Sequence, residues 1–493
     1  MSGATEAKAD GAVDMETSGG AIKELVDPPQ KDLSVKNKLT IGMGGLSVFL
    51  GNNSVNALAM PFYNMLLGVP TAMLGMALSI PRIWDAFTDP LMGAISDNYH
   101  SKYGRRRPFI LLGALLMGLT FGSIWMVPQD WGNEAKIAWF IVTNLLFYTS
   151  FTIFSVPYIS LTYEASSDYD QRTSVQGYVT FFSKVGELLY QAVIPLSTLL
   201  MTYSFASSKT EGVQLVTWVY AVVGMGIAGS IPAIFSRERE IAVKPKTEKK
   251  ERFWKQAATT LKNKPFAMIC CLSVMTMFAG MFASCMDYYL LVYYMFEGDL
   301  QVGSEYKLWV TIGYAVMGFA GIPFIVWLTK VTTKVQALQF VYILMIINAV
   351  LRWFIYQPGN TWQILLDPLT GGLFWIGVGT VMQSMIADIC DNDELKSGER
   401  REGMFGAIFG WATKLAISLS WAFAGVLLEG LGFQADLEAA QSAETFMGMR
   451  LSMVCGAAAP ALLCLVLMRF YPITKEKMAE TRRTLEARRA KGE

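Results

Sequence analysis

Charge is scarce in this chain: Asp, Glu, Lys and Arg make up 16% of its 493 residues, against roughly a quarter in a soluble protein. Histidine is almost absent. His100 is the single one, and its polar loop makes it a solvated side chain with no proton-shuttle role. The loops hold no nucleophile–base pair, metal cluster or glycine-rich phosphate loop, which argues against an enzyme. No cofactor is expected. Strand-like alternation is missing, which excludes a β-barrel. A formal net charge of +1 gives no electrostatic case for nucleic acid. Six cysteines (Cys270, Cys271, Cys285, Cys390, Cys455 and Cys464) lie in apolar segments or at a helix end without zinc-type spacing, and read as buried thiols. The first ~37 residues lack the apolar stretch of a cleaved signal peptide and read as a disordered tail.

What the chain does have is long apolar blocks. Hydrophobic residues make up 53% of it, in runs long enough to cross a ~30 Å hydrocarbon core as helices. Length and apolarity place about twelve spans, near 39–67, 70–96, 108–127, 137–161, 173–202, 213–235, 266–295, 306–329, 336–356, 361–389, 403–431 and 446–470. The polar stretch SREREIAVKPKTEKKERFWKQAATTLKNKP divides them six and six, as in two bundles related by pseudo-symmetry. The expected organisation is a tail (1–37), a six-helix bundle (38–236), a basic linker (237–265), a second bundle (266–472) and a charged tail (473–493). Lysine and arginine concentrate in the even-numbered connections: Lys102 and Arg105 to Arg107, Arg172, the linker, Lys330 and Lys334, then Lys396, Arg400 and Arg401. The odd-numbered connections offer only Lys136, Lys209 and Lys307. Both termini are therefore expected in the cytoplasm, with the protein integral to the membrane.

Two aspartates, Asp85 and Asp89, stand one helical turn apart within PTAMLGMALSIPRIWDAFTDPLMGAIS. A carboxylate at mid-membrane costs about 2.5–3.5 kcal/mol on insertion scales, so it is retained where it handles ions or substrate. A spacing of four puts both on one helix face, where they repel unless a cation or proton sits between them. Counting 1.5 Å per residue, Asp85 and Asp89 lie ~18 and ~12 Å from Asp97, and Lys414 of the eleventh span ~17 Å from its own start. A lysine of the second bundle thus reaches the depth of two acids in the first. Lys414 is either a static counter-ion or a coupling partner that a cation releases; a dry permanent pair is often worth less than apolar packing, which favours coupling. Lys184 and Glu187, three apart in the fifth span, either pair with each other or line a cavity. Arg352 and Asp367 form an outer-gate ion pair or snorkel to the interface. Aromatic side chains suit stacking on sugar faces, and Tyr158, Trp375 and Trp411 are candidates.

The run PRIWDAFTDPLMGAISDNYHSKYGRRRPFILLGA closely resembles the helix 2–3 signature of the glycoside–pentoside–hexuronide:cation symporters, the melibiose-carrier branch of the major facilitator superfamily. A second segment, DICDNDELKSGERREGMFGAIFGWATKLA, resembles that family's helix 10–11 signature. The resemblance implies an all-α membrane protein of twelve helices in two pseudo-symmetric bundles. It implies that Asp85 and Asp89 hold the coupling Na⁺, Li⁺ or H⁺, with Lys414 beside them. Asp97 at a helix C-terminus, answered by Arg105 and Arg106, reads with Glu394 and Arg400 as an inner gate. The departures bear on substrate. FTIFSVPYISL puts Ser155 and Ile159 where the melibiose carrier has an aspartate and a tryptophan, so Ser155 is left as the third cation ligand. The helix-1 acid is replaced by the neighbourhood of Asn52 and Asn53, and Thr180 stands at the helix-5 arginine position, with Lys184 a turn on. An α-galactoside is therefore not implied.

The expectation is a monomeric symporter taking up a glycoside, oligosaccharide or uronide with Na⁺, H⁺ or Li⁺. Asn52, Asn53, Tyr158, Lys184, Glu187, Trp375 and Trp411 are its candidate substrate contacts. The rivals are an amphiphile such as a lysophospholipid, because an animal lysophospholipid symporter resembles the same family, and a transporter-like sensor without flux.

Overall fold

A computed structural model describes residues 33–473 apart from 100, 166–168, 237–258, 360 and 398–401, together with most of 477–485. Every regular element among the described residues is helical. The first six rods are α1 (Val35–Ala59, running on in π-helical turns through Met60–Leu66), α2 (Thr71–Asn98), α3 (Arg107–Ile124), α4 (Asn133–Glu164), α5 (Tyr169–Gln191, continuing past a 53° bend as Val193–Thr202) and α6 (Lys209–Phe235). The second six are α7 (Lys264–Met295), α8 (Leu300–Val331), α9 (Lys334–Ile355), α10 (Asp367–Ser397), α11 (Glu402–Gly430) and α12 (Ala443–Met468). Side chains cap several starts: Ser34, Ser208, Asp299 and Ser442 accept from first-turn amides, and Thr333 with Gln336 makes a reciprocal capping box at α9. Among the described residues nine helices are long and apolar enough to span a membrane unaided, ten with the bent pair counted as one. α1 and α2 fall short because they carry the polar residues described below.

Glycine lets α1 and α5 pack backbone to backbone. A Cβ at Gly45 would stand 2.4 Å from the Val179 carbonyl oxygen. α2 contains two prolines, Pro81 and Pro90, which bracket Arg82 to Asp89. Neither can donate to the carbonyl four residues earlier, so this stretch of helix is loosened at both ends.

The two bundles meet along α2 and α11, along α5 and α8, and at the tips of α1 and α7 on the side away from the termini. Ser79 and Ser418 each donate to the other's carbonyl, at 3.2 and 3.1 Å, and Thr71 Oγ1 donates to the Gly425 carbonyl at 3.0 Å. Between these bonds Gly75 faces Gly425, where a Cβ would meet the Trp421 carbonyl at 2.7 Å. At the tips, Tyr289 OH donates to Asn64 Oδ1 at 2.7 Å. This far end is sealed. At the end nearer the termini, by contrast, Arg106–Asp97, Arg106–Glu164 and Lys334–Asp388 each join helices of the same bundle.

Two boundaries depart from expectation in ways that matter. α8 begins at Leu300, six residues before the expected start, because Asp299 caps it; Lys307, counted as a connection residue, is therefore buried inside the helix. Lys136 likewise lies within α4, buried, with Nζ donating to the Leu67 carbonyl at 3.3 Å. Cys271 and Cys455, expected to be buried, are exposed on faces of α7 and α12 that packing leaves uncovered. His100, Arg400 and most of the linker 237–265 lie outside the described residues.

Candidate cation and substrate site

The loosened stretch of α2 carries three charged groups on one face. Asp85 is fully buried, at 0% exposure, whereas the Asp89 side chain is 30% exposed. The packing of α2 against α4 and α11 closes over Asp85 and leaves Asp89 the accessible one of the two acids. Lys414 of α11 donates from Nζ to Asp89 Oδ2 at 2.5 Å and stands 3.7 Å from Asp85 Oδ2. Arg82, three residues before Asp85, is also 3.7 Å from it through Nη1. Neither Asp85 oxygen accepts a hydrogen bond. Its charge is balanced by the two cations alone, an under-satisfied state that is expensive in a low-dielectric interior. Thr152 Oγ1 of α4 donates to Asp89 Oδ1 at 2.9 Å.

Asp85, Asp89 and Thr152 make an all-oxygen set, which suits a small hard cation or a proton. Lys414's ammonium now occupies the electrostatic place that such a cation would take. Ser155, the expected third ligand, is buried one turn beyond Thr152 and bonds neither aspartate, because the α4 face turned to α2 is that of Thr152.

Beside this cluster lies a cavity in two lobes that share Asn53, Tyr190, Gln191, Met281, Ser284 and Lys307. The far lobe, about 150 Å³ and nearer the sealed end, is lined by Asn52, Asn53, Asn56, Arg82, Tyr288 and Trp421 among others. No carboxylate is among its described lining residues. The near lobe, about 410 Å³, is lined by Lys184, Glu187, Asp287, Arg352 and Trp375. Its volume lies in the usual range for small-molecule sites. Arg82 forms the wall between the far lobe and Asp85. Its Nη1 donates to Asn52 Oδ1 at 2.9 Å, its Nη2 to the Asn52 carbonyl at 2.5 Å, and its guanidinium lies over the Tyr148 ring at 4.7 Å.

On the opposite wall, Lys307 Nζ donates to Asp287 Oδ1 at 2.6 Å, and Arg352 grips Asp367 through Nε at 2.8 Å and Nη2 at 3.0 Å. Arg352 also lies 3.4 Å from Asp287, while Tyr314 OH and Asn348 Nδ2 complete the Asp367 shell. Arg352 and Asp367 therefore pair inside the second bundle and bridge nothing across the interface. Lys184 and Glu187 do both things expected of them: they pair at 2.5 Å and line the near lobe. With every group ionised, Arg82, Lys184, Lys307, Arg352 and Lys414 balance Asp85, Asp89, Glu187, Asp287 and Asp367.

Two aromatic candidates are displaced from the site. Tyr158 is buried under α1, its ring against Gly44 and its OH donating to the Ile41 carbonyl at 2.8 Å, because the glycines there let the ring lie between helices. Trp411 is exposed and lines neither lobe. Trp375 does line the near lobe, lying over Gly280, where a Cβ would be 2.5 Å from its ring. Of the gate residues, Arg106 joins Asp97 at 3.2 Å to Glu164 at 2.7 Å, and Arg105 reaches Glu164 at 3.1 Å, a clasp of α2, α3 and α4. Glu394 is half-buried near the end of α10. Sequence reasoning had missed Arg82, Thr152, Glu164 and Lys307. The signal for Arg82 was present, since a base three residues before an acid in an apolar span obeys the spacing rule applied to the acids themselves.

The chain is similar to known transporters over nearly its whole length. A symporter of Bacillus subtilis (strain 168), YnaJ, is 24% identical, covering 93% of this chain and 96% of its own. The glucuronide carrier protein homolog of Escherichia coli (strain K12) is 22% identical over 90% and 92%. The sodium-dependent lysophosphatidylcholine symporter 1 of Xenopus tropicalis is also 22% identical, over 92% and 90%. Among solved structures, a bacterial homolog of the human lysosomal transporter Spinster, inward-facing and unoccupied, shares the fold with a TM-score of 0.62 at 14% identity, covering 89% of this chain and 98% of its own. The model of the MFS/sugar transport protein family matches residues 40–475, and with the two signature segments in place the chain belongs to the cation symporters of the major facilitator superfamily, a transporter and not an enzyme.

Proposed function

We propose that the protein is a monomeric symporter of the bacterial inner membrane that couples Na⁺, H⁺ or Li⁺ entry to uptake of a glycoside, oligosaccharide or uronide by alternating access. The observation that carries this reading is the Lys414 ammonium bonded to Asp89 and 3.7 Å from Asp85 across the bundle interface. In the empty carrier Lys414 answers both acids and holds α2 to α11. An arriving cation takes over that duty, Lys414 is released, and the relative stability of the two bundle arrangements changes with loading. Asp85, Asp89 and Thr152 supply the oxygens for Na⁺; Asn52, Asn53, Lys184, Glu187 and Trp375 are the substrate contacts. The lysine and arginine bias puts both termini in the cytoplasm, so the sealed end faces outward and the conformation described is inward-facing.

A lysophospholipid is the second reading. It is supported by the Xenopus relative and by the lack of a helix-1 carboxylate, where Asn52 and Asn53 are the nearby polar residues. Against it, each lobe sets charges and amides among its apolar lining residues, Asn52, Asn53, Arg82 and Lys307 in the far lobe and Lys184, Glu187, Asp287 and Arg352 in the near one, partners that sugar hydroxyls use and an acyl chain does not. Purified protein in proteoliposomes, with an imposed Na⁺ or pH gradient and labelled glycosides, tests the proposal. Uphill glycoside uptake that a lysolipid does not compete away supports it. Lysolipid flux alone replaces the substrate, and no flux of either reduces the protein to a sensor.

A further inference from the structure

The far lobe has a feature that the cation site does not explain. Two cations, Arg82 and Lys307, line it, and no carboxylate is among its described lining residues. Arg82 is 95% buried (5% exposed), and its Nε–H donates to nothing. A buried guanidinium with an unused donor at the wall of a cavity is a receptor for a planar anion. The same guanidinium is one of only two counter-charges to Asp85, whose oxygens have no hydrogen bond of their own.

We propose that the far lobe takes a single carboxylate of the substrate on Arg82, and that Arg82 thereby transmits substrate binding to the cation site. A carboxylate against Arg82 cancels the charge that Asp85 now feels from it. Asp85 is then left more electronegative, and a coupling cation between Asp85 and Asp89 is held more tightly. Linkage requires the reverse as well: a cation on Asp85 frees Arg82 for the substrate. The charge count selects one carboxylate. The ten charged groups named around the cavity balance when empty, a bound monovalent cation leaves one positive charge, and a carboxylate cancels it where a phosphate of charge near −2 would overshoot. Asn52 holds Arg82 in place by accepting from both Nη atoms, so the guanidinium is pre-set for this exchange.

The inference rests on the symport reading, and its test separates the two. Na⁺ affinity, and the midpoint of proton binding, are measured on the purified full-length protein with p-nitrophenyl β-D-glucuronide or p-nitrophenyl β-D-glucoside, which differ in one carboxylate. The glucuronide is expected to tighten cation binding about tenfold and the glucoside by less than about twofold, within the usual range of coupling. R82Q removes the difference. R82K, which keeps the charge and loses the planar fork, loses most of the glucuronide effect. Equal tightening by both probes, tightening by neither, or a glucuronide preference that survives R82Q overturns the proposal. Gradient-driven accumulation of the glucoside with no difference between probes sinks the anion subsite and leaves symport standing. Failure to accumulate any glycoside under either gradient sinks symport itself.

Discussion

Lys414 and Asp89 belong to different bundles, yet their charged atoms are 2.5 Å apart, with both side chains about 30% exposed. Their pairing is the only described ion pair to Asp89, and it ties the shallow acid to the second half of the molecule. Asp85, sealed behind it, has no such direct bond.

Neutralising the acids one at a time gives distinct outcomes. D89N removes the direct partner of Lys414 and reduces cation-driven accumulation at least tenfold, while counterflow exchange of substrate persists. D85N abolishes uphill uptake and leaves Arg82 without its acid, while Lys414 keeps Asp89. Breaking a buried charge set costs about 3–5 kcal/mol, so D85N also lowers the melting temperature of the detergent-solubilised protein. Undiminished uphill uptake by D85N would reject its role in coupling.

Removing the lysine acts in the opposite direction. In K414Q Asp85 keeps only Arg82 and Asp89 only the Thr152 hydroxyl, and a proton or Na⁺ fills the gap. Na⁺ binding is expected to tighten by roughly 5–150-fold, the ordinary span of a coupling energy, as uptake loses its dependence on the gradient. Titration calorimetry on wild type and K414Q reads this directly.

The position of Lys414 at the depth of Asp85 and Asp89 was legible in the sequence because helical rise and spacing are fixed quantities. The pairing of Arg352 with Asp367 was open in the sequence, since both lie near helix ends where snorkelling is equally good; the bidentate geometry depends on α9 and α10 packing side by side. Lys307 was unreadable for another reason. Its helix begins with LQVGSEYK, a polar turn that hydropathy assigns to a loop, and only the Asp299 cap extends the helix over it. Tyr158 failed as a cavity residue because glycines on a distant helix, α1, decide where its ring goes.

The sealed far end depends on two glycines. G75L or G425L puts bulk where a first Cβ already meets a carbonyl at 2.7 or 2.3 Å, so α2 and α11 cannot close. The outward-open arrangement gains population. A cysteine at Asn53 in a background lacking the native cysteines then reacts with a membrane-impermeant maleimide from the outside several-fold faster than in the parent.

The Lys184–Glu187 pair separates stability from binding. It is partly exposed, and such pairs contribute about 0–1 kcal/mol, so K184Q or E187Q shifts the melting temperature little. Both line the near lobe, and each is expected to raise the KM for substrate about tenfold with a smaller change in maximal rate. A large fall in melting temperature with an unchanged KM would make the pair structural.

The balance of five bases against five acids has an electrical consequence. These ten cavity groups carry no net charge between them, so they add no push from the membrane potential when the empty carrier resets, and voltage acts on them through the loaded step. For a neutral sugar moved with one Na⁺, that step gains about 2.3 kcal/mol per 100 mV. For a substrate bearing one carboxylate the two charges cancel, and the whole cycle runs without generating current.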